Sequence, residues 1–157
     1  KLNLLSRWDI HSIEQPIKAG QFNEMAKLCS ESPLAIALDE ELIGVPLKEQ
    51  AALLDSIKPQ YIILKPSLIG GFASADHWID LCEERNIDWW ATSALESNLG
   101  LSAIAQWVAS KNNLGYQGLG TGQLYSNNIK APLLVERGEL HYTSDPWDTN
   151  QLAKLLV

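Results

Sequence analysis

Five stretches of this 157-residue chain carry residue types that suit one chemistry in one place. Ile13-Glu14-Gln15-Pro16 and Ala37-Leu38-Asp39-Glu40-Glu41 each close a short apolar run with acidic residues. Ile63-Leu64-Lys65-Pro66-Ser67 closes a third with a lysine. Thr92-Ser93-Ala94-Leu95-Glu96-Ser97 offers hydroxyls, and Gly118-Leu119-Gly120-Thr121-Gly122 is a glycine-rich loop. Two carboxylates from neighbouring strands can share a hard divalent cation such as Mg2+, which takes oxygen ligands. A partly desolvated lysine beside them has its pKa drawn toward the range in which it exchanges protons. The hydroxyls and backbone N–H groups of the last two loops suit a substrate carboxylate. Taken singly, each feature is ordinary, because acids cap helices and fill turns. Gly118-x-Gly120-x-Gly122 also lacks the Lys-Ser/Thr of a phosphate loop and the spacing of a dinucleotide fingerprint. The ordered set is what points to a site.

Elements of a definite kind are needed to bring these stretches together. Apolar or β-branched runs at 9–13, 34–38, 61–64, 87–91 and, more weakly, 114–117 begin roughly every 25 to 27 residues, the length of a strand plus a crossover helix. Between them Phe22, Met25, Ala26 and Cys29 recur at helical spacing. So do Leu47, Ala51 and Leu54, then Phe72, Ala75, Ile79 and Cys82, then Leu101, Ile104, Ala105 and Val108. Pro33 and Pro59 stop helices ahead of the second and third strands. Alternation of this kind predicts parallel βα units with right-handed crossovers. Functional residues then gather at the carboxyl ends of the strands, where all five stretches fall. The tail differs: 133–142 reads as a hairpin around a glycine-containing turn, and 148–156 as a short helix. It is an extension of the same domain, so the organisation expected is a barrel portion over 1–132 and an extension over 133–157.

Composition narrows the partners. The net charge is −7, from 12 Lys and Arg against 19 Asp and Glu. The pI of about 4.9 and the lack of a basic run argue against nucleic-acid binding. No apolar run approaches the roughly 20 residues that span a bilayer, and the first residues have no signal-peptide pattern. Cys29 and Cys82 fit buried thiols, so a cytoplasmic protein is expected. His11, His77 and His141 have no metal-ligand spacing and read as structural or surface residues. Trp89 and Trp90 read as packing beside the fourth strand, and Asp80, Glu83, Glu84 and Asp88 as a solvated face.

The motifs Ser12-Ile13-Glu14-Gln15-Pro16, Ala37-Leu38-Asp39-Glu40, Leu64-Lys65-Pro66-Ser67-Leu68-Ile69-Gly70-Gly71, Ala94-Leu95-Glu96-Ser97-Asn98-Leu99-Gly100-Leu101 and Gly118-Leu119-Gly120-Thr121 resemble, in order, those of the o-succinylbenzoate synthases. These are lyases of menaquinone biosynthesis within the muconate-lactonizing-enzyme-like group of the enolase superfamily. The resemblance runs from about residue 9 to 132. It implies the C-terminal part, about five βα units, of a (β/α) TIM-type barrel, in which bound Mg2+ stabilises an enediolate formed next to a carboxylate. It further implies that Glu14 and Asp39 are the second and third metal-binding carboxylates, with Asp39 preferred to Glu40 for its strand-end position. Lys65 corresponds to the lysine on the far side of the substrate. Thr92 or Ser93, with the backbone at Gly118, falls where the family holds the succinyl carboxylate. The reaction implied is syn-dehydration of 2-succinyl-6-hydroxy-2,4-cyclohexadiene-1-carboxylate to o-succinylbenzoate.

The family's capping domain, its Lys-x-Lys strand and its Asp-x-Asn strand are not found ahead of Glu14. The chain is therefore expected to be incomplete, inactive alone, and prone to pack against the missing N-terminal part of the enzyme or to self-associate. Relatives that racemise N-acylamino acids or epimerise dipeptides share the carboxylates and Lys65. The glycine-rich loop at 118–122 argues against the dipeptide option only. A non-catalytic α/β binding module is the reading from another class, and it predicts a closed domain with protected sheet edges.

Overall fold

The computed structural model describes residues 1–111, 113 and 115–155. By contacts the chain forms two compact units, 1–90 and 91–157.

In the first unit, helix α1 (Leu2–Leu5) leads to strand β1 (Ser12–Glu14). Strands and helices then alternate: α2 (Phe22–Glu31), β2 (Ala35–Leu38), α3 (Leu47–Ile57), β3 (Tyr61–Leu64), α4 (Phe72–Glu83) and β4 (Asp88–Ala91), whose last residue is the first of the second unit. A turn of 3-10 helix, Glu40–Leu42, follows β2. The sheet order is β1-β2-β3-β4, and β2 pairs parallel with both β1 and β3. Sheet order therefore equals chain order, as repeated crossovers in one direction require. Expected strand positions hold with one shift: the first strand is 12–14 and not 9–13. Its ladder opens at Ser12 opposite Ala35, and Leu34 stays outside β2 because its N–H and carbonyl both bond the Ser32 hydroxyl, at 3.1 and 2.7 Å.

Alternation along the strands separates core from site. Ile36, Leu38, Ile62 and Leu64 are buried beneath the helices. Met25 and Cys29 of α2, Leu53, Leu54 and Ile57 of α3, and Ala75, Trp78, Ile79 and Cys82 of α4 complete that layer. Each fully buried aliphatic side chain contributes ~1.5–3 kcal/mol. Both cysteines are free and buried. Burial pushes the Cys29 thiol up to about 11 and the Cys82 thiol to about 12. Asp80, Glu83, Glu84 and Asp88 lie exposed, with Arg85 bonding Asp55 at 2.8 Å. His11 packs on Tyr61, ring centroids 4.7 Å apart, and Trp90 lies 5.6 Å from Tyr61. No helix among the described residues is long and apolar enough to cross a membrane.

In the second unit, α5 (Asn98–Ala109) is followed by a long loop. An antiparallel hairpin of β5 (Leu133–Glu136) and β6 (Glu139–Tyr142) comes next, and then α6 (Thr149–Leu155). Arg137 and Gly138 turn the hairpin with φ of 53° and 83°, the left-handed pair of a two-residue turn whose twist matches its strands. The fifth run does not extend as a strand: Leu114 lies outside the described residues, and the pairing is a single parallel bridge between Thr92 and Gly118. A side chain stands in for the ladder, because Gln117 Oε1 accepts the Ala91 N–H at 2.7 Å.

Candidate functional site

Strand register places three of the predicted residues on one face of the first sheet. Glu14 lies opposite Ala37, and Ala37 opposite Tyr61. Stepping by two from Ala37 reaches Asp39, and from Tyr61 reaches Ile63 and Lys65, so all three project to the side away from the helices. The side chains do meet. Lys65 Nζ donates to Asp39 Oδ2 in an ion pair whose lysine is 18% exposed and whose aspartate is 2% exposed. Asp39 also shares a hydrogen bond with Glu14. That bond, partial desolvation and the Asp39 charge push the Glu14 carboxyl up from 4.5 to about 7, against the opposing pull of Lys65.

This donor set fits a hard cation. Two oxygen ligands lie close enough to share a proton, a crowding that a divalent ion relieves. Among the described residues, no group of three or more Asp, Glu, His or Cys side chains gathers around them. Glu14 and Asp39 could therefore supply two ligands to such a site.

Sequence reasoning missed the residues that hold this cluster. Gln15, with φ of 35°, sends its side chain to the loop after β2. Its Oε1 accepts the N–H of Asp39 at 3.0 Å and that of Glu41 at 3.4 Å. Its Nε2 donates to Glu41 Oε2 and to Ile17 O, each at 3.0 Å. Glu41 itself is 4% exposed and accepts Gly20 N at 2.7 Å. The signal available in the sequence was a glutamine wedged between an acid and a proline, opposite a run of three acids.

The second unit gathers the other three predicted residues. Thr92 Oγ1 donates to Gly118 O at 3.0 Å, Gly118 N donates to Ala91 O at 2.8 Å, and Ser93 N to Gly118 O at 3.2 Å. Gly118 must lack a side chain there, since a Cβ would stand 2.5 Å from Thr92 Oγ1. Ser93 is buried, and its hydroxyl is engaged at both ends: it donates to Glu96 Oε2 at 2.6 Å and accepts Leu95 N at 2.8 Å. That turn holds Leu95 at a φ of 67°. The loop beyond is pinned to the start of α5, with Asn98 donating through its backbone to Asn128 Oδ1 at 2.8 Å and through Nδ2 to Ile129 O at 2.6 Å.

Comparison with known proteins adds four findings. Residues 2–146 match the family model described as enolase C-terminal domain-like. The chain is 61% identical over 140 residues to the o-succinylbenzoate synthase of Desulfotalea psychrophila (strain LSv54 / DSM 12343), covering 89% of this chain and 38% of that protein. The crystal structure of MenC from Desulfotalea psychrophila LSv54 matches with a TM-score of 0.86 at 61% identity, over 88% of this chain and 39% of that one. The muconate lactonizing enzyme from Pseudomonas putida matches with a TM-score of 0.83 at 21% identity, over 98% and 44%, which shows a shared fold. The chain thus spans about two fifths of the length of the curated relative that it matches at 61% identity.

Proposed function

The chain belongs to the enolase C-terminal domain-like family, and on that premise we propose that it is the barrel portion of an o-succinylbenzoate synthase. The observation that carries the reading is the meeting of Glu14, Asp39 and Lys65 on one sheet face, in a chain 61% identical to a protein of that name. Residues 1–132 form the barrel portion and 133–157 its extension. The remaining ligand and the principal base come from the N-terminal part of the same enzyme, and the 157 residues alone do not turn over. Buried free thiols fit a reducing compartment, and we place the enzyme in the cytoplasm.

Glu14 and Asp39 hold the cation, which we take to be Mg2+. When bound, it supplies positive charge to offset the charge that develops on the substrate carboxylate as the α-proton leaves. Lys65 presents its ammonium at the same place, fixed by Asp39, and stabilises that developing charge without rearranging. We place the distal succinyl carboxylate beside Thr92 and Gly118; the Gly118 N–H is given to Ala91 O, so the donor is the Thr92 hydroxyl, turned from Gly118 O toward the substrate. Ser93 shapes the loop through its bonds to Glu96 and Leu95 and completes that subsite. The reaction proposed is syn-dehydration of 2-succinyl-6-hydroxy-2,4-cyclohexadiene-1-carboxylate.

The test is an assay of the complete protein with this diene and with N-succinylamino acids. Dehydration to the aromatic product is expected. Lys65→Ala should lower kcat by ~10²–10³, the usual cost of removing a preorganised electrostatic partner, while Lys65→Arg keeps part of the rate. Racemisation without dehydration would overturn the assignment.

A further inference from the structure

The parallel ladder fixes β1 to Glu14 and β2 to Leu38. Beyond those residues it does not dictate where the site acids stand. Asp39 leaves the strand at φ −126° and ψ −85°, outside extended geometry. When both carboxylates are ionised they repel, so something must hold the chain that bears them. The side chain of Gln15, next to Glu14, reaches across to the Asp39 backbone.

We propose that Gln15 is a positioning residue for the carboxylate pair, with its amide oriented by the buried carboxylate of Glu41. The inference rests on reading Glu14 and Asp39 as cation ligands. The amide can sit only one way round, because its oxygen meets two N–H donors while its nitrogen meets a carboxylate and a carbonyl. Glu41 sets that orientation and is itself tethered to Gly20 N. The backbone of Gln15 is committed too: its N–H donates to Ala37 O at 2.9 Å. A non-glycine residue at φ of 35° costs energy that the surroundings must offset, a pattern that marks positions under functional constraint. The clasp thus couples the residue after one ligand to the peptide N–H of the other.

The experiment uses the complete enzyme stripped of metal, with Mn2+ as the probe and the free ion followed by electron paramagnetic resonance. The melting temperature of the metal-free form is read in parallel. Gln15→Leu should weaken Mn2+ binding ~10–100-fold, the usual effect of removing a partner that orients a ligand, while the metal-free protein still melts cooperatively. Gln15→Glu, nearly isosteric, should weaken binding as well, because its carboxylate faces Glu41. Combining Gln15→Glu with Glu41→Gln exchanges donor and acceptor across the same bridge, keeps every bond but that to Ile17 O, and should restore most of the affinity. Wild-type Mn2+ affinity in Gln15→Leu and in Gln15→Glu, or no recovery in the double variant, would overturn the proposal. If Gln15→Leu does not fold, the isosteric single and double variants decide the matter. Glu14→Gln and Asp39→Asn separate the two levels. Unchanged Mn2+ binding in these would overturn the cation site itself. Lost binding here with unchanged binding in the Gln15 variants would overturn the positioning role alone.

Discussion

At the scale of single residues, the Glu14 carboxyl is the side-chain carboxylic acid whose pKa is pushed furthest above its ordinary value among the described residues. Its titration near 7, against 4.5 in the unfolded chain, arises first from the bond to Asp39. A raised folded pKa means that the native state binds the proton more tightly than the unfolded state. The associated stability is then complete below about 4.5 and is lost as pH rises through about 7. The metal-free protein should therefore melt at a lower temperature at pH 8 than at pH 5. Glu14→Gln should flatten that difference, and Mn2+ should raise the pH 8 value more than the pH 5 value, because the cation competes with the proton. Calorimetry across this range checks all three, and a pH-independent melting point with intact Glu14 would refute the shared-proton arrangement. Glu14, Asp39 and Lys65 were legible in the sequence because acid and lysine side chains at strand ends are conspicuous. Gln15 and Glu41 were not. A glutamine beside a proline looks like loop filler, and an acid in a run of three looks solvated, although Glu41 is 4% exposed. Only three-dimensional proximity shows that the two bond to each other.

Among the elements, the strands and helices of the first unit follow the periodic apolar positions closely, because each helix stripe and each strand face serves one buried layer. The fifth run was not legible as it stands. The side chain of Gln117 takes the hydrogen bond that a ladder would have made, and no pattern of apolar residues encodes such a substitution. The bridge that remains, Thr92 to Gly118, depends on the missing side chain at Gly118. Gly118→Ala should displace the Thr92 hydroxyl and cost ~1–3 kcal/mol as overpacking. If the hydroxyl binds the distal carboxylate as proposed, the KM for the succinyl substrate in the complete enzyme should rise more than kcat falls, because that group is remote from the reacting carbon. Denaturant melts and steady-state kinetics check the two halves, and an unchanged KM would detach this loop from substrate binding.

For the molecule as a whole, β1 is an edge strand of its sheet, with backbone groups on its outer side that a partner strand would pair. Within a larger barrel that edge meets the preceding strand. The 157-residue chain alone should therefore sediment above monomer mass at micromolar concentration, through this edge and through exposed apolar residues of the same unit such as Trp8, which is 71% exposed. A stable dilute monomer would instead favour a self-contained binding module. Charge argued against nucleic acid as a partner, and a repeat of roughly 25 to 27 residues led to an expectation of about five βα units, of which four strands pair as a sheet.

Gln60 lies at the other end of the strands from the chemistry. Its Oε1 accepts Ile36 N at 2.9 Å, its Nε2 donates to Cys29 O at 3.1 Å, and its own carbonyl accepts Asp88 N at 3.2 Å. One residue thereby ties the end of α2 and the starts of β2 and β4 to the loop that carries it. Such a division of labour has an evolutionary consequence. Loops at the carboxyl ends are free to drift toward new substrates while this knot keeps the frame in register. A laboratory lineage selected for a different acid as substrate should accumulate its changes around residues 93–97 and 118–128 and leave Gln60 untouched.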